Sequence, residues 1–181
     1  HPQVDLVCEF SCPPCVILKR DGVSQDMDLF ASLGQFELDT LHRDGGFTFP
    51  ASRVLGTTGL VLVTSQRLKS PVHSIADLLR SSTFRVGMGD PKTVGVGYYA
   101  EQALRKSGLR GELEGRLVLS QSGCELLKWL GLGRDIEAAL VFDVCVTPGD
   151  RRLDRVHGFP SEVIAPVPLI LAQPTSAVNP Q

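Results

Sequence analysis

A chain of 181 residues and 19.6 kDa accommodates one domain or two small lobes and excludes a large multidomain enzyme. Hydrophobic residues at 43% and charged residues at 21% are an ordinary composition, and no run approaches the ~20 apolar residues that span a bilayer, so membrane insertion is not expected. Eighteen basic against twenty acidic side chains leave a net charge of −2, which provides no basic field for nucleic acid or anionic lipid. The opening His-Pro-Gln-Val-Asp has no charged or apolar export region, so any signal is expected to have been removed or never present.

Short apolar runs alternate with amphipathic stretches, and Gly or Pro punctuates nearly every junction, which is the pattern of an α/β fold. A strand is predicted over 5–10, and Pro13–Pro14 suits the first turn of a short helix that stops at Asp21–Gly22. A strand over 27–32 leads to a helix over 35–43 with Asp44-Gly45-Gly46 as its stop, and 60–63 is a strand covered on both faces. Ser74 with Asp77 three residues on marks a capped helix over 74–79. The second half repeats the alternation. Strands are predicted over 84–88, 116–119 and 138–142. A helix over 97–106 carries Ala100, Ala103 and Leu104 on one face and stops at Gly108, and another over 123–130 carries Trp129. A last apolar strand over 162–171 contains Pro166 and Pro168, so it is expected to bend, lie at an edge or cross between lobes, with a frayed tail over 173–181.

In open α/β sheets ligands gather beyond the carboxyl ends of strands, where helices point their amide-rich starts. The loop from Gly87 to Tyr98 is the most distinctive, because Gly95 and Gly97 let backbone N–H groups approach an oxyanion without a fixed cation. Ser120-Gln-Ser-Gly-Cys124 and Ser11-Cys-Pro-Pro-Cys15 have the same form, and their hydroxyls serve either as helix caps or as anion donors. Asp90 before Pro91 fits a turn. His42, His73 and His157 show no i, i+4 pairing, and Arg151, Arg152 and Arg155 form a small basic run expected in a solvated loop.

The segment from Gly89 to Leu104, ending at Gly108, resembles the second-lobe signature of the molybdate-binding proteins of ABC importers, which are type II periplasmic binding proteins. Asp28-Leu-Phe-Ala-Ser32 and Leu60-Val-Leu-Val63 are similar to two further strands of that family. The resemblance runs from about Val4 to Ala172. It implies two α/β lobes with mixed sheets, 1–62 plus 160–181 and 63–159, closing without turnover on a molybdate-like or tungstate-like oxyanion. It also implies an extracytoplasmic location and an ABC permease as partner. On this resemblance Ser11, Val96, Gly97, Ser122 and Gly123 supply contacts, and Phe142 takes the place of an anion-binding tyrosine that it cannot replace as a donor. The family's first strand, serine loop and first helix have no counterpart before Val4, and its closing helix is missing after Leu171. Lobe one is therefore expected to be completed by a partner chain or by self-association.

Five cysteines are an odd set. Cys8, Cys12 and Cys15 form C-x3-C-x2-C, Cys124 stands at a helix start and Cys145 just beyond Phe142. Around one crevice they form an alternative site for zinc, copper or an iron–sulfur cluster, since thiolates are soft donors and helix starts lower thiol pKa. Otherwise Cys8 and Cys145 are buried strand residues, and Cys12 and Cys15 are surface or disulfide residues. Bound or free thiols would favour the cytoplasm.

Overall fold

Hydrogen-bond pairing divides the strands into two sheets in the computed structural model, which describes residues 8, 27–68, 72, 74–81 and 83–176. The smaller sheet has the order β1 (Phe30–Leu33), β8 (Val167–Ser176), β2 (Phe47–Thr58), all antiparallel. The larger is β5 (Leu117–Ser120), β4 (Val86–Gly89), β6 (Ala138–Phe142), β3 (Leu60–Ser65), β7 (Leu153–Gly158). It is mixed: β4 runs parallel to β5 and β6, while β3 is antiparallel to β6 and β7. The predicted α/β architecture is therefore present. The expected division at 62/63 falls inside β3. The predicted strand over 5–10, Cys8 aside, and the helix start at Pro13–Pro14 lie outside the described residues.

Four helices are described: α1 (Gln35–Gly45), α2 (Ile75–Arg80), α3 (Gly95–Lys106) and α4 (Gly123–Leu132). The connections β4-α3-β5 and β5-α4-β6 place α3 and α4 on opposite faces of the larger sheet. Leu60 and Leu62 of β3, with Ala138 and Leu140 of β6, pack with Ala100, Ala103 and Leu104 of α3 and Leu78 of α2. Val61, Val63, Ala139 and Val141 point the other way, against Leu126 and Leu130 of α4. Alternating Cβ directions thus bury every residue of both strands, which explains their unbroken apolar runs. The smaller sheet packs one face on α1, where Leu38 meets Ile170 and Ala172.

Caps follow the local chemistry. Ser74 accepts from the Asp77 amide at 3.2 Å as the predicted start of α2. Gly46 and Gly133 take left-handed φ values of 65° and 64° just past α1 and α4. His42, in the last turn of α1, bonds the Phe47 carbonyl at 2.7 Å through Nδ1.

Three expectations are corrected. β8 is the central strand of its sheet and continues to Ser176, through residues expected to fray. Pro168 is tolerated near its beginning, where its carbonyl still accepts from the Gly34 amide at 2.8 Å. The long β2 was not foreseen. It is an edge strand with residues 50–57 exposed, so it carries no buried apolar alternation. Arg155 lies in β7, another edge strand, rather than in a loop. No helix among the described residues is long and apolar enough to cross a membrane.

Candidate functional site

The site is built where the parallel strands β4 and β5 end. Beyond β4 the chain turns at Asp90, whose carboxylate accepts from the Lys92 amide at 2.9 Å while its carbonyl accepts from Thr93 and Val94. That turn delivers Val94 in an extended conformation as the N-cap of α3, without any side-chain cap. The Tyr98 amide is the first to return to the Val94 carbonyl, at 3.0 Å. The amides of Gly95, Val96 and Gly97 thus have no acceptor within the helix and form its electropositive start. Gly97 is required by packing, because a Cβ there would strike the carbonyl of Gly89 on the adjoining strand.

The loop beyond β5 is fastened to the loop beyond β4. The Asp90 amide donates to the Ser120 carbonyl at 2.8 Å, and Thr93 Oγ1 donates to Gln121 Oε1 at 3.1 Å. Ser122 is the N-cap of α4, its hydroxyl accepting from the Glu125 amide at 3.1 Å. Ser120 donates to the Glu125 carboxylate at 2.5 Å and accepts from the Ser122 amide at 3.1 Å. A hydroxyl that accepts an N–H keeps its own proton to donate, so Ser122 serves as a cap and remains a donor. The Val96 side chain lies 3.9 Å from the position of a Cβ on Gly123. The starts of α3 and α4 are therefore neighbours.

A third element closes on them. The first turn of α1, hung on the smaller sheet, lies over the first turn of α3. Phe36 stacks on Tyr98 with ring centroids 4.8 Å apart, and the Gln35 amide donates to Tyr99 Oη at 3.0 Å. Tyr99 in turn packs against Phe142, at 6.0 Å. Glu37 reaches furthest. Its carboxylate lies 3.3 Å from Ser32 Oγ, which also bonds the Gly34 carbonyl at 2.7 Å, and accepts from the Gly95 amide, where an added Cβ would land on it. Burial pushes the Glu37 carboxyl up to about 7, against the opposing effect of hydrogen bonds from its own amide, from Ser32 and from Gly95. Burial likewise raises the Tyr99 phenol.

Of the residues predicted from sequence, Val96, Gly97, Ser122 and Gly123 converge at the paired helix starts. Phe142 is joined to them through Tyr99, as a buried ring with no donor. Ser11, Cys12 and Cys15 lie outside the described residues. Cys8 and Cys124 are exposed and Cys145 is half-buried, all three as free thiols. Burial raises the Cys145 thiol, with a smaller contribution from Cys124. Among the described residues no group of three or more His, Cys, Asp or Glu side chains could hold a metal ion, so the zinc, copper or iron–sulfur alternative gains no support there. Sequence reasoning missed Glu37, Ser32 and Tyr99. The Ser122-x-x-Glu125 spacing was the legible signal for the α4 cap.

Apposed helix starts whose first amides lack intrahelical acceptors can hold an anion by backbone donors alone. Known proteins share the fold that carries these helices. The chain is 21% identical to the substrate-binding domain of a provisionally assigned molybdenum ABC transporter from Clostridium difficile, with a TM-score of 0.66 over 97% of this chain and 74% of that one. It is 18% identical to the Azotobacter vinelandii periplasmic molybdate-binding protein, with a TM-score of 0.68 over 93% and 72%. A periplasmic thiamin-binding protein matches at 16% identity with a TM-score of 0.57, covering 94% and 61%. These likenesses establish the two-lobe α/β binding-protein fold. YvgL of Bacillus subtilis (strain 168), a provisionally assigned ABC transporter substrate-binding lipoprotein, is 27% identical over 115 residues, 64% of this chain and 43% of the relative's length. The sequence pattern of bacterial extracellular solute-binding proteins matches residues 18–181, nearly the whole chain. The chain belongs to that family of solute binders.

Proposed function

We propose that the chain captures a small tetrahedral oxyanion, molybdate-like or tungstate-like, between its lobes and presents it to an ABC permease without chemical turnover. The observation that carries this reading is the apposition of the α3 and α4 starts, with Val96 beside Gly123 and the two loops bonded to each other. The amides of Val96, Gly97 and Gly123 and the Ser122 hydroxyl are donors without formal charge, suited to an anion whose own charge is diffuse. Two neighbouring, partially positive helix starts replace a fixed cation. The molybdate-binding neighbours and the ABC-associated relative support the ligand class and the partner.

Thermal unfolding tests the reading. Molybdate or tungstate at about a hundredfold excess over Kd stabilises the native state by about 2.7 kcal/mol, which for a chain of this size raises Tm by about 5–10 °C. Unchanged unfolding with molybdate, tungstate, sulfate and phosphate alike would overturn it.

A further inference from the structure

We propose that Glu37, when ionised, is an internal anion held at the α3 start, so that an oxyanion binding beside the ionised form must be accompanied by uptake of a proton on this carboxylate. The inference rests on the oxyanion reading of the same site and adds its regulation. Glu37 is carried on α1, packed on the smaller sheet, yet its carboxylate accepts from Gly95, the first amide of α3, and from Ser32. The next amides along α3, Val96 and Gly97, are those assigned to the ligand. A dianion there and an ionised Glu37 beside it would place like charges in a half-buried space.

The surroundings leave Glu37 as the titrating partner. From β1 it meets the Ser32 hydroxyl, and from α3 the Gly95 amide and the Tyr99 phenol, whose own ionisation is pushed higher partly by the Glu37 charge. On α1, Asp39 is engaged by Gln35 at 2.9 Å, and in the β4–α3 loop Asp90 is engaged by the Lys92 amide. Among the described residues no lysine, arginine or histidine pairs with Glu37. Its carboxyl, pushed up to about 7 by burial, can take the proton near neutrality. Neutral Glu37 can then stay beside the ligand.

Titration calorimetry with molybdate, a dianion throughout the range, tests this between about pH 6 and 8.5. One linked proton weakens wild-type binding by about tenfold per pH unit once Glu37 is ionised. Glu37→Gln keeps the shape without the charge and binds with an affinity that changes less than about twofold over the same range. Gly95→Pro is the second variant. Proline suits a first helical position, removes the amide that Glu37 accepts from, and puts carbon where the carboxylate lies. It also flattens the pH dependence. A wild-type affinity independent of pH, or a slope retained in Glu37→Gln, overturns the inference and leaves the oxyanion reading standing. Absence of molybdate binding in wild type and both variants at every pH removes both.

Discussion

At Glu37, folding alters an equilibrium that any glutamate has in water. The unfolded chain releases this proton near 4.5, whereas the folded chain holds it to about 7. The native state therefore binds more protons across that window. The favourable contribution is complete below about 4.5 and is lost as the pH rises through 7. Without ligand, wild-type Tm is expected to fall between about pH 5 and 8 relative to Glu37→Gln, and parallel melting curves for the two proteins would contradict this. Gly97 presents a different constraint. Its missing Cβ leaves room for the Gly89 carbonyl, which belongs to a buried strand and cannot swing aside. Gly97→Ala should cost about 1–3 kcal/mol, measured as a lower urea midpoint with an unchanged m-value. The sequence displayed Gly97 as a close-approach glycine because loop glycines before a helix carry that meaning. It concealed Glu37, because an acidic residue in a first turn looks like an ordinary dipole partner until the fold brings Gly95 to it.

At the scale of elements, the start of α4 separates backbone chemistry from helix stability. Ser122 is extended, with φ −158° and ψ 152°, the conformation that best precedes proline. Gly123 is the first helical position, and among the described residues only the Val96 side chain, at 3.9 Å, lies near an added Cβ. Gly123→Pro should therefore preserve α4 while deleting one amide donor, lowering molybdate affinity by roughly 10–150-fold in calorimetry, the equivalent of about 1.5–3 kcal/mol. Unaltered affinity in the folded variant would exclude that amide as a ligand. Elements with strong local signals were legible from the residues: β3 and β6 by continuous apolar runs, α1 by its glycine stop and α2 by Ser74. β2 and β7 were not. Edge strands bury little and include residues such as Arg53 and Arg155, so their ladders come from distant partners rather than from local pattern.

Among the described residues the chain passes between the sheets at two places, through Gly59 between β2 and β3 and through residues 159–166 between β7 and β8. The Asp143 amide reaches the Gly59 carbonyl at 2.9 Å and the Val144 amide reaches Thr58 Oγ1 at 3.2 Å, so the turn after Phe142 is fastened to the first junction. Packing is shared there too, since Ile164 and Val167 enter the core of the larger sheet. The α/β architecture was readable because the strand and helix alternation occupies most of the chain, whereas its division into two lobes came from the family resemblance carried by Gly89 to Leu104. The central place of β8 was not, because its prolines argue for an edge when considered locally. That place has a consequence for biosynthesis. β1 and β2 pair with β8 and not with each other, so translation must deliver residues 167–176 before either gains its ladder. The five strands of the other sheet have all been synthesised by residue 158. On the ribosome, the half that supplies the amide donors can mature first, while the half that carries Glu37 waits for the last strand to arrive.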